Sequence, residues 1–146
     1  MSIEEKQQEI IAEFNSFGDG PDQRSSWMEK YEYIIELGRD LPLIEEHYKL
    51  DENLIKGCQS KVWLHAEQDE QGKLQFTGDS DAIITKGLVS LVIRVLTDEK
   101  PEDIAHADLH FVKDIGLHEH LSPTRSNGLA SMIKQMKMYG LVLSPK

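Results

Sequence analysis

The sequence holds one cysteine, Cys58, set in the run Gly57-Cys58-Gln59-Ser60-Lys61. A thiol flanked by glycine and small polar residues in a loop has the mobility that group transfer requires. Lys56 and Lys61 stand close by on either side and can favour the thiolate, the nucleophilic form. Taken locally, the same residue also fits a small buried hydrophobe, since free cysteines are mostly buried and inert. Both readings stay open at this level. Solitude narrows the chemistry further: one cysteine excludes an intramolecular disulfide, a CxxC redox pair and a four-thiolate zinc or iron–sulfur site within the chain.

Other reactive side chains are weaker candidates. Arg125, in Ser122-Pro123-Thr124-Arg125, could steady an anionic thiolate if the fold brings it to Cys58, and the start of a helix there would act in the same direction. A structural ion pair with one of the many carboxylates is the competing expectation. His118-Glu119-His120, with His106 and His110 nearby, invites a metal, but alternate spacing on a helix turns side chains apart. A surface segment without a metal is expected, and no cofactor. His65 reads as an ordinary strand histidine, and Asp79 and Asp81 as cap and turn residues rather than an acid–base pair.

The elements that must position Cys58 follow from periodicity. Residues 3–17 carry Ile3, Ile10, Ile11, Phe14 and Phe17 near one stripe of a helix, broken by Gly18-Asp19-Gly20-Pro21. A second helix is predicted from about Asp22 to Leu37, stopping at Gly38, and Leu41-Pro42-Leu43 reads as an irregular connection. Lys61 to Glu67 alternates, Asp69-Glu70-Gln71-Gly72 is turn chemistry, and Leu74 and Phe76 resume the alternation, which makes a hairpin. Asn53 to Lys56 is expected to add a third strand. Ser80 or Asp81 should cap a central buried helix running to about Leu96, with Gly87 marking a close approach of another element. Pro101 starts a short acidic helix, Phe111 to Leu121 makes one or two further turns, and Ser122-Pro123 opens a last helix to about Tyr139.

The layout is α+β: a small antiparallel three-stranded sheet with helices packed on one face, in a single domain spanning residues 1–146. If the first hairpin strand extends backward, Cys58 falls on the core face with Val62 and Leu64. The thiol should then rest partly shielded and swing outward when a partner docks. Trp63 and His65 point the other way, so either a helix covers Trp63 or it adds apolar surface for a partner.

Composition sets the outer limits. The 146 residues are 39% hydrophobic and 29% charged, ordinary for a globular domain, with 26 acidic and 16 basic residues and a net charge of −10. Such an acidic chain without a basic run is unsuited to nucleic acid or to an anionic membrane surface. The opening MSIEEKQQEI lacks the basic patch and apolar run of a secretory signal, and no segment reaches the roughly 20 apolar residues of a membrane span. The expected location is the cytoplasm.

The run Gly57-Cys58-Gln59-Ser60-Lys61-Val62-Trp63 resembles the active-cysteine motif of the SufE family and its close relative CsdE. Gly78-Asp79-Ser80-Asp81-Ala82 leading to Lys86-Gly87-Leu88, and Leu121-Ser122-Pro123-Thr124-Arg125-Ser126-Asn127-Gly128-Leu129, match family segments in the same order. Trp27-Met28-Glu29-Lys30-Tyr31 and Leu37-Gly38-Arg39-Asp40-Leu41-Pro42 fit its N-terminal region, so the likeness spans nearly the whole chain from about residue 14. The Gln59-Ser60 pair leans toward SufE.

The resemblance implies a SufE/IscU-like fold and a sulfur-transfer accessory protein rather than a stand-alone enzyme. Cys58 would accept persulfide sulfur from a pyridoxal-phosphate cysteine desulfurase of the SufS type and stimulate it. The sulfur would pass to a SufB-containing scaffold for iron–sulfur cluster assembly. A CsdE-type carrier serving another sulfur pathway, or a desulfurase-binding regulator that takes no sulfur, are the alternatives. A homodimer and a monomer both stay open. The IscU scaffolds hold a cluster or zinc through three cysteines, so a chain with one can carry sulfur but not a cluster in that manner.

Overall fold

The computed structural model of the chain describes residues 1–17, 23–58 and 60–144, and the side chains of these except 23–26. The expected break at Gly18-Asp19-Gly20-Pro21, the helix start at Asp22, and Gln59 of the cysteine run lie outside the described residues. The order of elements is α1 (Ile3–Asn15), α2 (Gln23–Gly38), β1 (Val62–Gln68), β2 (Leu74–Ser80), α3 (Ile83–Leu96), α4 (Pro101–Ala105), α5 (Phe111–Asp114), α6 (Leu117–His120) and α7 (Pro123–Leu143). Two short 3-10 turns, Glu46–Tyr48 and Asp51–Asn53, lie between α2 and β1.

Helix α1 starts on a capping box in which Ser2 and Glu5 satisfy each other's backbone N–H. It buries Ile10 and Phe14, together with Gln7. That amide is fully used: Gln7 Nε2 donates to the Asp108 carbonyl at 3.0 Å, and its Oε1 accepts from the Phe111 N–H at 3.0 Å. A buried polar group paired on both ends ties α1 to the chain entering α5.

Helix α3 is enclosed on nearly every side, with Leu88, Leu91, Val92, Ile93, Val95 and Leu96 buried. Gly87 costs helix propensity, and packing explains it. A β-carbon there would stand 2.0 Å from the Ile34 carbonyl oxygen of α2, so only glycine permits this crossing. The start of α3 corrects the capping expectation: Ala82 is the N-cap and no side chain caps it. The Ser80 hydroxyl accepts from the Ala82 N–H at 3.2 Å, and the Asp81 carboxylate turns to the Lys61 N–H at 3.0 Å. Short polar side chains have here found nearer backbone partners than the first helical turn.

The hairpin is antiparallel, with Val62 opposite Ser80 and Gln68 opposite Leu74. Asp69 builds its turn, one carboxylate oxygen accepting from the Gln71 and Lys73 N–H groups at 2.9 Å each. Among the described residues the sheet has two strands, not the expected three. The segment Asn53–Lys56 makes one bridge, Leu54 to Trp63, and one bond from the Ile55 N–H to the Val62 carbonyl at 2.9 Å. A 3-10 turn occupies its start, and Gly57, at φ +91°, leads the chain away before a ladder can form.

Val62, Leu64, Leu74 and Phe76 form the buried inner face of the hairpin, against α3. The outer face is covered by the connection from α2. The Tyr48 ring stacks on His65 with centroids 3.8 Å apart, and Lys49 Nζ lies 5.3 Å from the centre of a half-buried Trp63. Helix α7 opens on the expected Ser122 cap with Pro123 behind it, runs past Tyr139 to Leu143, and packs on α3 and α4. No described helix is long and apolar enough to cross a membrane.

Candidate functional site

Cys58 sits in a loop pinned at both ends. On the entry side the Ile55 N–H holds the Val62 carbonyl; on the exit side Lys61 and Asp81 exchange two bonds, Lys61 N–H to the Asp81 carboxylate at 3.0 Å and Asp81 N–H to the Lys61 carbonyl at 3.2 Å. Between them the left-handed turn at Gly57 lays the loop on α7. A β-carbon at Gly57 would meet Ser131 Oγ at 2.7 Å, and one at Gly128 would meet Cys58 Sγ at 3.3 Å. Two small residues one turn apart on α7 thus make the seat of the cysteine loop.

The thiol is half-buried and donates to the Gly128 carbonyl oxygen at 3.6 Å. Burial pushes it above the usual thiol range, because the thiolate loses its water. The expected help from Lys56 and Lys61 is not delivered: both are exposed to solvent, which screens them, and burial alone sets the shift. The inward set of the sulfur agrees with the parity argument, but β1 begins only at Val62. The glycine turn, not a strand extended backward, aims the side chain.

Beside the sulfur lies a cavity of about 60 Å³, lined by Cys58, Ser60, Thr85, Leu88, Thr124, Arg125, Gly128 and Met132. The structure therefore brings Arg125 to Cys58, as one wall of this cavity. Arg125 is exposed at the start of α7, and among the described residues it pairs with no carboxylate. Among the described residues that line it, none is a histidine or an acid. A Cys–His nucleophile needs an imidazole on the sulfur, and the described residues of the cavity offer none.

The remaining candidates lie elsewhere. His65 is taken up by the Tyr48 stack and by Glu67, 3.1 Å away. His120 stacks on Trp27 at 3.9 Å between ring centres, His118 faces Glu119 at 3.8 Å, and His110 bridges Glu4 and Asp114. Among the described residues no three His, Cys, Asp or Glu side chains converge on a metal-sized point. Burial alone would raise the Asp79 carboxyl, but Lys49 at 2.8 Å, with Lys86 at 3.5 Å, holds it below its ordinary value. That is an ion-paired structural carboxylate.

Sequence reasoning passed over Gly128 and Thr85. Gly128 carried a signal of the same kind as Gly87, a glycine inside a helix at a cost of about 1 kcal/mol relative to alanine. Thr85 carried none, because a threonine within an apolar helix is unremarked until its neighbours are known.

Residues 8–140 match the family described as SufE, Fe-S metabolism associated domain. The fold is similar to the solution structure of a hypothetical protein from Thermus thermophilus, at 20% identity and a TM-score of 0.73, over 94% of this chain and 95% of that one. At that identity the likeness speaks for the fold alone.

Proposed function

The chain belongs to the SufE family and so has a role in Fe–S metabolism, and we propose from this that Cys58 is a sulfur acceptor. In this reading Cys58 takes sulfur from a cysteine desulfurase of the SufS type, stimulates that enzyme by unloading it, and yields the sulfur to a SufB-containing cluster scaffold in the cytoplasm. The transfer balances without an external oxidant or reductant. The Cys58 thiolate attacks the outer sulfur of the donor persulfide, a new S–S bond forms on Cys58, the donor's S–S bond breaks, and the donor cysteine leaves as thiolate. The proton shed by Cys58 passes to solvent or to a group of the donor.

The observation that carries the reading is the resting state of the sole cysteine. A thiol held neutral against a backbone carbonyl, with no base beside it, is not primed to attack small molecules. A loop pinned at both ends and seated on the small residues Gly128 and Ser131 can release it when a partner engages. Such a cysteine is quiet alone and reactive in a complex, which is what a carrier requires. Arg125, on the cavity wall, is suited to steady the anion once formed.

The test is an intact mass taken without reductant after incubation with desulfurase, pyridoxal phosphate and free cysteine. The wild-type chain should gain sulfur and Cys58→Ser should not. Stimulation of the desulfurase with no gain of sulfur would instead show a regulator.

A further inference from the structure

We propose that the cavity beside Cys58 is the berth of the transferred sulfur, and that the Thr85 hydroxyl is its hydrogen-bond donor. The inference rests on the reading of Cys58 as a sulfur carrier and adds a persulfide-binding residue to it.

Thr85 is the third residue of α3 and is only 7% exposed, with its side chain on the wall of the cavity that holds Cys58. Among the described residues its hydroxyl makes no hydrogen bond. The partner a helical threonine ordinarily uses is the carbonyl four residues back. Here that carbonyl belongs to Asp81, which lies before the Ala82 N-cap and outside the helix. The hydroxyl is not sealed off from the space it lines, so it can reach what that cavity holds, and a valine of the same shape could not donate there. The cavity wall therefore carries a donor that no described protein group accepts from.

What enters must suit the size and polarity of the space. The volume of about 60 Å³ exceeds the roughly 10–15 Å³ that a single water needs. That leaves room for the outer sulfur of a persulfide. Two helix starts border it, α3 through Thr85 and α7 through Thr124 and Arg125, and both favour negative charge. A persulfide is a stronger acid than the thiol it replaces, so its terminal sulfur takes on that charge where the bare thiol stays neutral. The loaded sulfur then accepts from Thr85, while the unloaded thiol keeps its bond to the Gly128 carbonyl.

The experiment loads the full chain without a protein partner. Glutathione persulfide in excess, at an alkaline pH that supplies the Cys58 thiolate, transfers its outer sulfur to Cys58 and leaves as glutathione. After desalting, loss of that sulfur to added dithiothreitol is followed by intact mass for wild type, Thr85→Val and Thr85→Ser. The sulfur on Thr85→Val should be lost about tenfold faster than on wild type, the loss of one charge-assisted hydrogen bond. Thr85→Ser should stay within about twofold of wild type. Alkylation of unloaded Cys58 should proceed at one rate in all three, since the hydroxyl serves only the loaded state. The apparent pKa of the persulfide, read from its near-ultraviolet absorbance, should rise in Thr85→Val. Equal lifetimes for wild type and Thr85→Val would overturn the proposal, as would equal acceleration in the valine and serine variants. If a desulfurase fails to load Cys58 while the chemically loaded sulfur still depends on the Thr85 hydroxyl, the berth stands and the carrier reading falls.

Discussion

The Cys58 sulfur rests on the backbone of Gly128, its S–H directed to that residue's carbonyl oxygen at 3.6 Å. A β-carbon at position 128 would lie 3.3 Å from the sulfur. That is tight enough to displace the cysteine loop and too slight to disturb a helix. Gly128→Ala should therefore separate two properties. Helix α7 gains up to about 1 kcal/mol from the better helix former, while the thiol is pushed outward. Unfolding in urea should show equal or greater stability, and iodoacetamide should alkylate Cys58 several-fold faster. A variant that loses stability and leaves the alkylation rate unchanged would refute the seat.

The burial that raises the Cys58 thiol gives a pH signature of known sign. In the native chain the inflection of the alkylation rate should lie at higher pH than in the same chain unfolded in denaturant. Folding holds the proton more tightly, so this group's contribution to stability is fully present below the unfolded thiol value. It is lost as pH rises through the folded one. Cys58→Ala should remove that alkaline decline from a pH series of urea midpoints.

Asp81 is the exit clamp of the cysteine loop. Removing its carboxylate in Asp81→Ala frees the Lys61 N–H, and a single hydrogen bond of this kind is worth about 0.5–1.5 kcal/mol. Amide exchange at Lys61 should quicken, and alkylation of Cys58 should rise about threefold to tenfold, the rate equivalent of that loss. Asp81→Asn retains an acceptor oxygen and should lie close to wild type. Unchanged exchange at Lys61 in the alanine variant would show that the backbone bond from Asp81 to Lys61 suffices.

Gly87→Ala supplies the contrast, a defect of the fold rather than of the site. Its β-carbon would fall within 2.0 Å of the Ile34 carbonyl, a backbone atom that cannot rotate away. The loss should be about 3 kcal/mol or more, since α2 and α3 must separate or shift. A urea midpoint at the wild-type value would contradict the crossing.

The parts of this architecture legible in the sequence are those where one residue type has few uses. Asp69 to Gly72 specifies a turn, Ser122-Pro123 a helix start, and Gly87 a close crossing. The edge at Asn53–Lys56 was not legible as such, because the residues that make a single bridge look like a short strand until Gly57 turns away. Ser80 and Asp81 have the chemistry of caps, and which backbone N–H they reach depends on the neighbouring loop. At the site, Cys58 stands out by being alone and Arg125 by its place at a helix start. Thr85 and Gly128 acquire meaning only when α3 and α7 are brought to the same sulfur, a relation between segments far apart in the chain. The inward set of Cys58 was anticipated on strand parity and is produced by a glycine turn, so the outcome was legible and its cause was not.

The hydrogen bond from Ile55 to Val62 closes the cysteine segment into a short leash. Cys58 lies three residues beyond Ile55, and an extended chain spans at most about 3.3–3.6 Å per residue, so the backbone can carry the sulfur no more than roughly 10 Å from that knot. While the knot holds, the sulfur cannot be cast across a wide gap between two proteins. A donor must bring its own sulfur to within this radius, and a receiving protein must do the same. Reach, as much as reactivity, would then decide which proteins can trade with this cysteine.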